Sequence, residues 1–192
     1  SMSKDINTTG KWLKRLTQTF AGEPQNRQQL LEILREARTR GLLDADALPM
    51  LEGVLEVSDL QVRDIMVPRA QMVFVRRDDP VSRILPTVVE SGHSRFPVMD
   101  EDRDDIVGIL LAKDLLRLCS DEARERFDIR EFMRPAVFVP EAKRLNVLLK
   151  EFRGSRNHMA IVVDEYGGVS GLVTIEDVIE QIVGEIDDEY DV

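Results

Sequence analysis

The sequence predicts an α+β fold: two β-α-β-β-α units in pseudo-two-fold arrangement, with a helical appendage at the N-terminus. Three observations predict it. Residues 94–116, SRFPVMDEDRDDIVGILLAKDLL, are echoed by residues 158–179, HMAIVVDEYGGVSGLVTIEDVI. Each stretch is a short apolar run, an acidic turn, a second apolar run containing Gly, and an Asp opening a helix; Asp100 matches Asp164, Gly108 matches Gly171 and Asp114 matches Asp177. A lead-in is doubled as well, residues 62–68 (VRDIMVP) against residues 129–135 (IREFMRP). The lead-ins are 67 residues apart (68 to 135) and the Asp residues 63 (114 to 177), so small loop deletions separate the copies. Internal similarity at such a period sets the architecture before any local reading does. A three-stranded sheet with helices on one face leaves the other bare, and two such units packed face to face cover it, with a cleft between the halves.

Residues 1–25 are polar, carry Gly10, Gly22 and Pro24, and are expected to form a flexible segment. Within them Trp12, Leu16 and Phe20 are spaced four apart beside Lys11, Lys14 and Arg15. Two readings fit: a basic amphipathic segment that touches a membrane surface or partner, or a weak helix on a loose tail. A helical lead-in over residues 26–61 follows. Leu30, Leu31, Leu34 and Ala37 have helical spacing before Gly41, a left-handed C-cap. A second helix over residues 47–57 has Asp46 to cap it, Pro49 in its first turn, and Leu48, Leu51, Val54 and Leu55 as its buried face.

The first copy occupies residues 62–120. Its elements are a strand at residues 72–75, a helix opened by Asp79-Pro80, strands at 95–99 and 106–111, and a helix from Lys113. Val81, Ile84, Leu85, Val88 and Val89 form the stripe of the first helix, and Pro86 inside it is expected to kink or split it. Residues 121–128 read as a linker. The second copy, residues 129–186, repeats the order with strands at 137–139, 159–163 and 169–173 and helices at 145–152 and 175–183. Residues 187–192 read as the start of another linker, and the opening Ser1-Met2 as a cloning remnant, so a longer parent protein is expected.

Bulk properties exclude several functions. The chain has 192 residues, 43% apolar and 32% charged, as in an ordinary globular protein. A formal charge of −10 argues against nucleic acid as a partner, which needs basic surface to displace counterions. Local positive pockets remain compatible with that charge. One cysteine, Cys119, permits no intramolecular disulfide and no metal-ligand spacing, so a reducing, cytoplasmic setting is expected. No apolar run approaches the ~18 residues needed to span a bilayer. With His93 and His158 as the only histidines, no metal site is expected. The acidic run Glu185, Asp187, Asp188, Glu189 and Asp191 reads either as oxygen ligands for Mg²⁺ or as a solvated helix end.

The β-α-β-β-α unit, the lead-in ending in Met-x-Pro, and the Asp three residues beyond a strand end resemble the CBS domain, and two in tandem resemble a Bateman module. RDIMVPR at residues 63–69, GHSRFPV at 92–98 and VDEYGGVSGLVTIEDVIEQIVGEIDDEYD at 163–191 are similar to the CorC family, associated with magnesium and cobalt efflux. The resemblance covers roughly residues 45–191. It implies a further C-terminal domain of the CorC/HlyC type past Val192, where FAD-like binding would belong. It also implies an adenine nucleotide, AMP or ATP with Mg²⁺ on its phosphates, in the cleft between copies.

A ribose diol needs one carboxylate accepting two O–H bonds. Asp177 at a helix start is such a group, with the Thr174 hydroxyl beside it; Thr174-x-x-Asp177 is equally a capping box. The resemblance puts Arg95 at the cleft mouth for phosphate, with Ser94 as a hydroxyl donor and His93 beside them. Met72, Val73, Phe96 and Pro97 would grip the base. A weaker second site would pair Asp114 with Val137, His158 and Met159, since Leu111 stands where Thr174 does and Met159 where Arg95 does. The expected function is a nucleotide-sensing regulatory module, homodimeric, partnered with a membrane transporter and sometimes peripheral at the inner membrane face. The alternative is a dimerising scaffold with a vestigial cleft. An enzyme is not expected, as no nucleophile and base are offered.

Overall fold

The computed structural model describes residues 23–102 and 104–184. The amphipathic stretch around Trp12 and the acidic run beyond Gly184 therefore lie outside the described residues. The chain divides into two compact units with the boundary between Glu52 and Gly53.

The first unit holds helix α1 (Arg27–Thr39) and the start of α2 (Ala47–Asp59), which runs through the boundary. Asn26 caps α1 by accepting the Gln29 N–H, and Gly41 ends it at φ +75°, conformations these residue types adopt at little cost. The expected inner face of α2 is met in part, with Leu48 buried and Leu55 half-buried. Leu51 and Val54 are 36% and 47% exposed, whereas Gly53 and Val57 are buried. The reason is backbone approach: a methyl group on Gly53 would come within 2.7 Å of the Gln181 carbonyl oxygen and Ile182 Cα. A face that carries a glycine can pack closer than one that carries Leu and Val.

The second unit is the duplicated pair. In the first copy come α3 (Val62–Ile65), β1 (Val67–Pro68), a 3₁₀ turn (Arg69–Gln71), β2 (Val75–Arg76), α4 (Val81–Ser91), β3 (Arg95–Met99), β4 (Ile106–Leu111) and a second 3₁₀ turn (Ala112–Arg117). Helix α5 (Asp121–Glu125) sits in the segment read as a linker. The second copy has a 3₁₀ turn (Ile129–Glu131), β5 (Phe138–Pro140), α6 (Leu145–Gly154), β6 (Met159–Val163), β7 (Val169–Thr174) and α7 (Ile175–Val183). Four local expectations need correcting. The strand at residues 72–75 shrinks to Val75–Arg76, and the helix from Lys113 is a 3₁₀ turn. Helix α4 is not split at Pro86, and Pro86 and Ser82 are both exposed, so water can reach the carbonyl that loses its bond. Val89 of its expected stripe is 77% exposed.

In each copy a parallel pair feeds an antiparallel hairpin: β2-β3-β4 in one sheet, β5-β6-β7 in the other. The sheets then exchange their lead-ins. β1 of the first copy pairs antiparallel with β7 of the second, Pro68 opposite Gly171. Arg134 of the second lead-in makes the reciprocal bridge to Ile109 of β4. The repeated glycines permit both crossings. A methyl group on Gly171 would overlap the Val67 carbonyl oxygen, and one on Gly108 would meet the Arg134 oxygen at 3.0 Å and the Met133 side chain at 3.1 Å.

Alternation along the strands separates three apolar clusters. Phe96, Val98 and Leu110 face the helices of the first copy, joined by Val75, Ile84 and Leu115. Ala160, Val162 and Val173 face those of the second, with Leu148, Phe152 and Val178. Met99, Ile106 and Ile109 from one sheet meet Ile161, Val169 and Leu172 from the other. That third cluster is the seam.

Candidate functional site

The seam opens into two clefts that share His93, Ser94, Arg95 and Met159 as a common wall. Arg95 stands there because β3 begins with it. Its guanidinium donates to Glu176 Oε1 at 3.1 Å and lies 3.5 Å from His158 Nδ1, both groups of the second copy, and the side chain is 22% exposed. A cation half-sheltered between the copies is placed to meet an anion on either side.

The first cleft has a volume of about 680 Å³, within the ~300–1,000 Å³ range of small-molecule sites. Met72 and Val73 line it from the segment after the first 3₁₀ turn, Gly92 to Ser94 from the loop before β3 and Arg95 from the start of β3, and Leu172, Thr174, Glu176, Asp177 and Glu180 from the second copy. Of the residues expected to share a site, Met72, Val73, His93, Ser94, Arg95, Thr174 and Asp177 are brought together. Phe96 and Pro97 are not. Phe96 is fully buried in the first copy's own core, because neighbours along a strand point to opposite faces. Pro97 is buried within β3 opposite Ile109.

The capping reading of Thr174 and Asp177 holds, and both residues also line the cleft. Asp177 Oδ2 accepts the Thr174 N–H at 2.9 Å and Thr174 Oγ1 accepts the Asp177 N–H at 3.2 Å, a closed capping box. The cap locks the carboxylate's rotamer while the group still lines the cleft, and Asp177 Oδ1 takes no hydrogen bond from the described residues.

The second cleft, about 670 Å³, differs from its expected lining. His158 and Met159 are there, but Asp114 and Val137 are not. Val137 packs against the second copy's core. Asp114, with no Thr to cap, turns to Arg134 Nη2 at 3.3 Å. The lining instead includes Lys113, Arg134 and Arg156.

One cross-copy contact was hidden in the acidic turn. Asp104 Oδ1 accepts from Arg69 at 2.8 Å and from the Val169 N–H at 2.9 Å, tying the first copy's hairpin to the start of β7. Nothing in the DEDRDD turn at residues 100–105 singles this residue out among its acidic neighbours. Among the described residues no group of His, Cys, Asp and Glu could hold a metal ion, and no helix is long and apolar enough to cross a membrane.

The sequence profile of the CBS domain matches residues 62–121 and 129–184, one match to each copy. The chain belongs to the CBS-domain family. A profile described as the N-terminal region of NMB0537 matches residues 22–57 ahead of the CBS pair. The magnesium and cobalt efflux protein CorC of Escherichia coli K12 is 53% identical over 185 residues, which cover 96% of this chain and 63% of that protein. The chain thus spans a little under two thirds of such a relative, and the CBS pair is of the CorC kind. Solved CBS domains agree. One from a bacterial CNNM/CorC family Mg²⁺ transporter, in complex with an inhibitor, superposes with a TM-score of 0.78 at 41% identity, over 85% of this chain and 100% of that one. A structure of such a domain in complex with ATP gives 0.68 at 45%, over 71% and 96%. A CBS-domain pair with bound AMP from Klebsiella pneumoniae gives 0.54 at 33%, over 65% and 99%.

Proposed function

We propose that this CBS pair is the adenine-nucleotide-sensing module of a protein that takes part in magnesium and cobalt efflux. The observation that carries it is the first cleft, where Arg95 of one copy and Asp177 of the other line one cavity at the seam. Asp177 accepts the ribose hydroxyls, Arg95 meets the phosphate, and Met72, Val73 and Leu172 provide apolar surface for the base. Mg²⁺ rides on the phosphates. Relatives support the reading, since one neighbouring structure holds ATP and another AMP. Because the cleft takes residues from both copies, a bound nucleotide favours the closed pair by its differential affinity, and the helices pass that preference to an attached domain or transporter. The module works at the cytoplasmic face of the membrane and performs no catalysis itself. It assembles as a homodimer through helix faces that leave Val89, Leu116, Val147, Ile179 and Val183 exposed.

The test is thermal unfolding with AMP, ADP and ATP, with and without Mg²⁺. Ligand at 100 times its dissociation constant adds about 2.7 kcal/mol, a visible rise in melting temperature that Asp177→Ala removes. No rise with any adenine nucleotide leaves the scaffold reading in its place.

A further inference from the structure

We infer that the second cleft is a site for phosphate groups, not for a second nucleoside. The two clefts are close in volume, about 680 and 670 Å³, and opposite in charge. The first is lined by three carboxylates, Glu176, Asp177 and Glu180, against Arg95. The second has Arg95, Lys113, Arg134 and Arg156 and no carboxylate in its lining. In a chain of net charge −10 this is a local inversion of sign, and a concave basic surface concentrates anions. Two of the cations are uncommitted: the Lys113 and Arg156 side chains take no ion pair or hydrogen bond from the described residues. Among the described residues Arg134 is held only by Asp114, at 3.3 Å.

Ser94, Ser155 and Asn157 add neutral polar groups to the same wall. Mixed guanidinium, ammonium and hydroxyl donors suit the tetrahedral oxygens of phosphate. A ribose is poorly served, because the one carboxylate of this copy at the equivalent position, Asp114, is turned to Arg134 and lies outside the lining. Arg95 belongs to both clefts, so a polyphosphate chain anchored in the first can continue past it into the second. A free polyphosphate anion would use the same donors.

Isothermal titration of the protein with ATP, AMP and inorganic tripolyphosphate separates these sources, alongside the double variant Lys113→Met with Arg156→Gln. Both positions are exposed, and an unchanged melting temperature without ligand confirms folding. If the phosphates are those of a nucleotide in the first cleft, the variant loses about tenfold or more in ATP affinity and keeps its AMP affinity. If the anion is a separate ligand, the variant loses tripolyphosphate binding and keeps ATP. Tripolyphosphate binding lost in the variant, with no nucleotide bound by the wild type, sustains this inference while the nucleotide reading falls. Asp114→Asn, which frees Arg134, is expected to tighten phosphate binding. The inference is overturned if the double variant binds ATP and tripolyphosphate as the wild type does, or if the wild type binds neither.

Discussion

Asp177 has one oxygen in the helix cap and one that takes no hydrogen bond from the described residues, so the cap and the proposed ribose contact can be pulled apart. Oδ2 closes the cap with the Thr174 N–H, and losing such a contact costs about 1 kcal/mol. Asp177→Ala should therefore lower stability without ligand by that order as well as remove the nucleotide shift. Asp177→Asn keeps an acceptor for the cap and discards the charge. Its unliganded melting curve should stay close to wild type while the nucleotide shift shrinks. An undiminished shift in Asp177→Asn would show that the ribose does not hang from this carboxylate. Arg95 is coupled to both clefts through one guanidinium, so Arg95→Ala should weaken AMP and ATP alike.

At the scale of elements, the decisive feature is the exchange of lead-ins. β1 lies against β7 with the Val67 carbonyl where a Gly171 side chain would be, and that neighbour is backbone. Gly171→Ala must displace a strand, at a cost of roughly 1–3 kcal/mol or more. Gly108→Ala meets the Met133 side chain as well as the Arg134 oxygen, and a methionine can move aside. Urea titrations should place Gly171→Ala well below Gly108→Ala. Equal midpoints would mean that the crossings are softer than their backbone contacts indicate. The acidic hairpin adds a third tie through Asp104, where the Arg69 pair is more than a third exposed on both sides and contributes less than about 1 kcal/mol. The Val169 N–H is the more sheltered partner.

For the whole pair, the exchanged strands and the shared seam cluster leave neither copy with a complete surface of its own. Unfolding should follow one cooperative transition, with tryptophan-independent probes such as far-UV circular dichroism and urea-dependent hydrogen exchange agreeing. Two separated transitions would contradict the exchange. Sedimentation at micromolar concentration should show a dimer, because exposed apolar side chains recur on the helices of both copies; a monomer at every concentration would remove that proposal.

Much of this was legible in one dimension. The repeat placed the hairpins, and two short apolar runs on either side of an acidic turn bounded β3 and β4 to the residue, because apolar runs and turn chemistry are local properties. Seven of the residues that line the first cleft were reached by resemblance to a family, and strand alternation removed Phe96 from that group once its direction was known. The sequence alone determined that there are two copies, where most of their strands and helices lie and that Thr174 and Asp177 have the spacing of a capping box, since these depend on local pattern. Only the tertiary structure decided that Pro68 faces Gly171, that Asp104 reaches Val169, and that Lys113, Arg134 and Arg156 share a cleft. Those contacts join residues far apart in the chain, and no spacing encodes a distance that only packing of one copy on the other creates.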